Sequence, residues 1–85
     1  MVHTLHLVKR TDATYPWDLI SPRGASDACS IVLIQDAVGA RPPMTCPTFV
    51  LERDAQARGI DSSYPLIDDN RLADLIWEAD SVVVW

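Results

Sequence analysis

The sequence predicts a small α/β domain with a parallel, or mostly parallel, sheet of four or five strands and short helices on both faces. Its 85 residues suffice for one domain, residues 1–85. Apolar segments of strand length alternate with helical segments, as in βαβ units. Residues 31–34 form an unbroken apolar run, typical of a central strand buried on both faces. A buried helix is the alternative, disfavoured because the run is short and rich in Ile and Val.

The first half of the chain contains two predicted strands. In chain order we predict a strand at residues 2–8, a brief helix broken at residues 21–24, a strand at residues 29–35 and one helical turn at residues 37–40. The brief helix begins near Pro16, which suits a first turn because its missing N–H has no intrahelical partner there.

The second half contains the clearest helix. We predict a strand at residues 48–51, a helix at 52–58, a strand or extended connection at 62–67, a helix at 69–79 and a strand at 81–85. Gly59 suits a left-handed cap after the first of these helices. The second helix has apolar residues at i, i+3, i+4 and i+7, and one of residues 68–70 can cap it.

The predicted helices are too few to cover such a sheet. A parallel sheet needs both faces covered, yet only the helix at 69–79 is long. The apolar side chains that we expect at a partner interface are Trp17, Trp77, Val83 and Trp85. Because large exposed apolar patches usually mark partner surfaces, the sequence predicts an oligomer.

Charge and composition disfavour several kinds of partner. The net charge is −5 and the basic residues are scattered, so we expect neither direct nucleic-acid binding nor binding to a membrane. No apolar stretch approaches the ~20 residues that span a bilayer. The first ten residues have their basic side chains after the apolar ones, the reverse of a secretory signal, which favours a cytoplasmic protein.

No metal or cofactor site is expected. His3 and His6 point to opposite faces of a strand, so two hydrogen-bonded imidazoles are favoured over a shared metal ion. The three glycines match no phosphate-binding motif.

The end of the central strand is the candidate binding site. Ligands of open parallel sheets bind outside the carboxyl ends of the strands, where Gln35 and Asp36 lie. Asp36 can act as a base or ligand there, or it can cap the helical turn that follows. The cap is the favoured alternative.

The two cysteines, Cys29 and Cys46, are expected at the amino edge of the sheet. They match no zinc or redox spacing, and reduced thiols are favoured over a disulfide for a cytoplasmic chain. We expect Cys29 to be a small buried residue. Cys46 is the more exposed and is a weak catalytic candidate.

Several segments together resemble the TusB/DsrH family, and the similarity runs nearly end to end. They are the start MVHTL, IVLIQDAV at residues 31–38, VLERD at 50–54, ARG at 57–59 and the final VVVW. The resemblance implies a DsrE/F/H-like fold. It also implies a place in a sulfur-relay heterohexamer with TusC/DsrF-like and TusD/DsrE-like paralogues. Such complexes relay persulfide sulfur toward 2-thiolation of a tRNA wobble uridine or serve sulfur oxidation.

One departure from the family pattern bears on function. DsrH-type members carry a cysteine in the first helical segment, and residues 17–20 here contain none. In the family, the main sulfur-accepting cysteine belongs to the TusD/DsrE-like subunit. The leading hypothesis is therefore a non-catalytic, accessory subunit. The alternatives are a sulfurtransferase acting through a Cys46 persulfide, or a small homo-oligomeric domain with a ligand pocket at Asp36.

Overall fold

A computed structural model describes residues 2–9, 27–41 and 46–85 of the chain. The strands in these residues form a single parallel sheet of five, in the order β4-β3-β2-β1-β5. They are β1 Val2–Val8, β2 Asp27–Leu33, β3 Thr48–Leu51, β4 Leu66–Ile67 and β5 Ser81–Val84. The predicted fold class is confirmed.

Three helices connect the described strands. A 3₁₀ helix, Gln35–Gly39, follows β2, while α1, Glu52–Ala57, follows β3 and α2, Asp69–Glu78, follows β4. None of the helices in the described ranges is long and apolar enough to cross a membrane. The helix predicted near Pro16, together with Trp17, lies outside the described residues.

The predicted helix boundaries have the local interactions that the sequence suggested. The side chain of Asp68 accepts a hydrogen bond of 2.7 Å from the N–H of Arg71, which caps the start of α2. Gly59 follows α1 with a φ of 62°, in the left-handed region that glycine adopts without a steric penalty.

Residues 31–33 of the apolar run belong to β2, so the strand prediction is confirmed and the helix alternative is wrong. The strand begins and ends two residues earlier than the predicted 29–35, because Ile34 caps the 3₁₀ helix that begins at Gln35. Ile31, Val32 and Leu33 are all 0% exposed. Successive residues of a strand point to opposite faces, so this burial requires cover on both sides of the sheet.

Each face of the sheet has its own core. One core combines strand residues with the 3₁₀ helix and α1; its buried members include Val8, Ile31, Leu33, Val38, Val50 and Ala55. The other combines strand residues with α2; its buried members are Leu5, Leu7, Val32, Ile67 and Leu75. The connections that follow β2 and β3 lead toward the β4 edge of the sheet, whereas the connection that follows β4 leads back to β5 at the other edge. Right-handed crossovers therefore place α2 on the opposite face from α1.

Two strand leucines test the importance of β2. We expect Leu33→Ala to lower the free energy of unfolding by about 2–5 kcal/mol, because it leaves a cavity in a fully buried site. Leu66→Ala in β4 is the matched control, and we expect a loss below about 1 kcal/mol because Leu66 is 48% exposed. Urea denaturation measures both, and equal losses would contradict a core organised around β2.

Candidate functional site

The carboxyl end of β2 has an unusual backbone conformation. Gln35, the first residue of the 3₁₀ helix, has a φ of 50°, a value that non-glycine residues rarely adopt. Its N–H donates a hydrogen bond of 2.8 Å to Oδ2 of Asp54, which lies in α1. A side chain from the neighbouring connection thus holds the strained turn in place.

Asp36 does not cap the helical turn, and the favoured cap interpretation is wrong. The 3₁₀ helix begins at Gln35 and its N-cap residue is Ile34, whose side chain makes no capping hydrogen bond. Asp36 instead accepts hydrogen bonds from Arg58 at Oδ1, at 3.0 Å from Nη2 and 3.3 Å from Nε. The arginine comes from the end of α1, and no local sequence pattern predicts this pairing.

Gln35, Asp36, Asp54 and Arg58 therefore form one polar network, which we call the strand-end network. Nη1 of Arg58 lies 3.9 Å from Oδ1 of Asp54. The Asp54 side chain is 17% exposed and that of Asp36 is 72% exposed, so the inner carboxylate supports the backbone while the outer one faces solvent. The outer part of the network can offer hydrogen bonds to a polar ligand. Within the described ranges, no group of three potential ligand side chains is arranged to hold a metal ion.

Cys29 and Cys46 form a disulfide, so the expectation of reduced thiols is wrong. The reason is the register of the sheet. Ile31 pairs with Thr48 across β2 and β3, and each cysteine lies two residues before its member of that pair. Their Cα atoms are 5.8 Å apart, within the usual range for a disulfide. Both side chains are half-buried, so Cys29 is not the fully buried apolar residue that we expected.

A small open recess, with a volume of about 40 Å³, lies beside the end of the 3₁₀ helix. Gly39, Ala40 and Arg41 form one wall, and residues 60–64 form the other. Neither Asp36 nor Cys46 lines it. The recess joins two connections that are distant in the sequence, so no motif could have predicted it.

The two histidines make separate hydrogen bonds on opposite faces of β1, as predicted. Nε2 of His3 lies 2.8 Å from the Ser30 hydroxyl oxygen. The indole N–H of Trp85 donates to Nδ1 of His6 over 3.1 Å, and the two rings stack. His6 is buried, and burial lowers the pKa of His6 below its ordinary value.

The residues expected at a partner interface occupy different environments. Trp77 on α2 is 90% exposed. Val83 is half-buried, and Trp85 packs against the core that contains Val8. The most exposed valines of β5 are Val82 and Val84.

Two aspartate variants test the division of roles in the strand-end network. We expect Asp54→Ala to lower the free energy of unfolding by about 2 kcal/mol, because it leaves the N–H of Gln35 without its charged acceptor. Asp36→Ala is the control and should cost about 0.5 kcal/mol, since exposed ion pairs contribute little. Chemical denaturation distinguishes the two, and a larger loss for Asp36→Ala would refute the assignment.

The buried His6 predicts a pH dependence of stability. Its pKa in the folded protein lies below the ordinary 6.5, so the unfolded chain takes up a proton first as the pH falls. The free energy of unfolding should therefore be highest above pH 6.5 and decrease below it, until the folded state is protonated too. Thermal melts between about pH 5 and 8 measure this slope.

The matched variant for this experiment is His6→Gln, which keeps a hydrogen-bond acceptor but does not titrate. In this variant, the free energy of unfolding should change less between pH 6.5 and the lower pKa that His6 has in the folded protein. An unchanged slope in His6→Gln would assign the effect to other groups.

Comparisons with known proteins add no assignment to this geometry. No protein-family model matches the chain, and a search of curated proteins found no match.

Proposed function

We propose that this chain is a non-catalytic subunit of a sulfur-relay complex of the TusBCD/DsrEFH type. Its role is to bind TusC/DsrF-like and TusD/DsrE-like paralogues in a heterohexamer and to support their transfer of persulfide sulfur. The observation that carries the proposal is the group of exposed apolar side chains on the α2 side of the sheet. The most exposed of them is Trp77, at 90%. The sequence resemblance supplies the class of complex.

The extent of this surface follows from simple dimensions. Five strands about 4.8 Å apart span roughly 19 Å, whereas one helix is about 10 Å wide. In the described residues, α2 is the helix that packs on this face, through Leu72 and Leu75. Val82 and Val84 of β5 remain 39% and 54% exposed. Exposed apolar side chains gathered on one side of a sheet are typical of a subunit interface.

The accessory role is supported by the state of the cysteines. Accepting a persulfide requires a thiolate, and both cysteines of the chain are joined in the Cys29–Cys46 disulfide. The disulfide lies at the amino edge of the sheet, while the strand-end network lies at the carboxyl edge. Sulfur acceptance at Cys46 would first require reduction of this bond, so the persulfide belongs to a partner in our proposal.

We further propose a cytoplasmic location, where the substrates of a tRNA-thiolation or sulfur-oxidation relay are found. Disulfides are uncommon in reducing compartments, so the redox state of Cys29 and Cys46 is informative. Thiol trapping in intact cells measures it directly: we expect the pair to be oxidised, and a reduced pair would remove this support for the accessory role.

The test of the proposed function is assembly. The chain should be purified alone and after co-expression with the two paralogues, and its mass measured by light scattering. We expect a mixed complex that contains all three subunits. We also expect Cys29→Ser with Cys46→Ser, in a complex that still assembles, to retain sulfur transfer, because in our proposal this chain accepts no persulfide sulfur.

Two results would contradict the proposal. One is a chain that stays apart from both paralogues under all conditions of co-expression. The other is a mixed complex that assembles with the double cysteine variant but transfers no sulfur, which would instead support the sulfurtransferase alternative through Cys46.

A further inference from the structure

The exposed apolar side chains gather on one side of the sheet. Val82 and Val84 are register partners of Leu5 and Leu7, which belong to the core beneath α2. Because partners in a parallel register share a face, the two valines point to the α2 side.

The position of Trp77 on α2 completes this surface. Leu75 faces the sheet, and a residue two positions further along a helix is rotated by about 200°. Trp77 therefore points away from the sheet, toward solvent. Ile76 lies on the flank between them and is 41% exposed. We call Ile76, Trp77, Val82 and Val84 the α2-side surface; it holds four of the five exposed large apolar side chains of the described residues.

Leu66 is the exception and supplies a control. Its neighbour Ile67 is buried in the core beneath α2, so Leu66 points to the opposite face of the sheet.

Acidic side chains share the helix of Trp77 and the segment that follows it. Asp69, Asp74, Glu78 and Asp80 are exposed in or directly after α2. Two arginines offset part of this charge: Nη1 of Arg71 lies 3.9 Å from Oε1 of Glu78, and Nη1 of Arg53 lies 3.3 Å from Oδ2 of Asp69. The local charge is therefore negative, like that of the whole chain at −5.

We propose that the α2-side surface docks a partner subunit through an apolar pocket that receives Trp77 and is rimmed by lysine and arginine. Charge complementarity selects this occupant over a second copy of the chain. Two copies that meet through this surface would bring Asp74 and Glu78 close to the same residues of the other copy, and like charges at an interface cost several kcal/mol in binding. The partner is the paralogue of the proposed function, on which this inference rests.

The two parts of the surface have different roles in the contact. A large aromatic side chain that is fully solvated before binding and enclosed afterwards is the usual form of an interface hot spot. The acidic residues around it act over longer distances, raise the rate of association and exclude acidic partners. The affinity should therefore depend on Trp77, and the association rate on the acidic residues.

The experiment uses full-length chains and measures the dissociation constant between this chain and each co-purified paralogue. We expect Trp77→Ala to weaken binding by at least about tenfold. Leu66→Ala, the matched control on the opposite face, should leave the constant within about threefold. Asp74→Lys with Glu78→Lys should slow association and reverse its salt dependence, because added salt screens attraction in the wild type and repulsion in the variant. Circular dichroism confirms that each variant is folded.

The outcomes separate this inference from the proposed function. If the wild-type chain binds neither paralogue, both fail. If it binds and folded Trp77→Ala binds equally well, the complex exists but docks elsewhere, and only this inference is overturned. A wild-type homodimer that Trp77→Ala dissociates would also overturn it, since the occupant would then be a second copy.

Discussion

Burial of β2 on both faces is the constraint on which the rest of the structure depends. Its residues Ile31, Val32 and Leu33 are completely enclosed, so both sides of the sheet must carry cover. A parallel strand also cannot join its neighbour by a tight turn, and each connection must cross over a face. The strand order then assigns the connections after β2 and β3 to one face and α2 to the other. The two cores and the uneven cover of the α2 side both follow.

The strand-end network arises from the same parallel arrangement. Because β2 and β3 are neighbours and run in the same direction, their carboxyl ends meet at one edge. Residues that follow the two strands are brought together there, although Gln35 and Asp54 are 19 positions apart in the chain. The Cys29–Cys46 disulfide is the equivalent feature at the amino edge. The disulfide joins Cys29 in β2 to Cys46 just before β3, whereas the hydrogen bond from the N–H of Gln35 to Asp54 joins the segments that follow the two strands.

The sequence predicted those features whose signals are local. The bounds of β1 and β3 were predicted correctly, as were α2 from its periodicity and a cap among residues 68–70, which is Asp68. Features that depend on pairing between strands were missed. The cap interpretation of Asp36 failed because the carboxylate that accepts a hydrogen bond from the backbone of this turn, at the N–H of Gln35, belongs to Asp54 in another connection. The disulfide was missed because Cys29 and Cys46 lie side by side only in the strand register that aligns Ile31 with Thr48. The exposure of Val82 and Val84 likewise depends on the register of β5 against β1.

The pairing of β5 with β1 has a consequence for biosynthesis. Residues 77 positions apart bond across these strands, for example Thr4 with Ser81. While the chain is being translated, β1 emerges early and stays at the edge of a growing sheet until the last described strand leaves the ribosome. Contacts so distant in sequence form slowly, and an uncovered strand edge can pair with another chain in the meantime. The nascent protein is therefore most vulnerable to aggregation before β5 has emerged, and a partner or chaperone that binds β1 at that stage would improve the yield of folded protein.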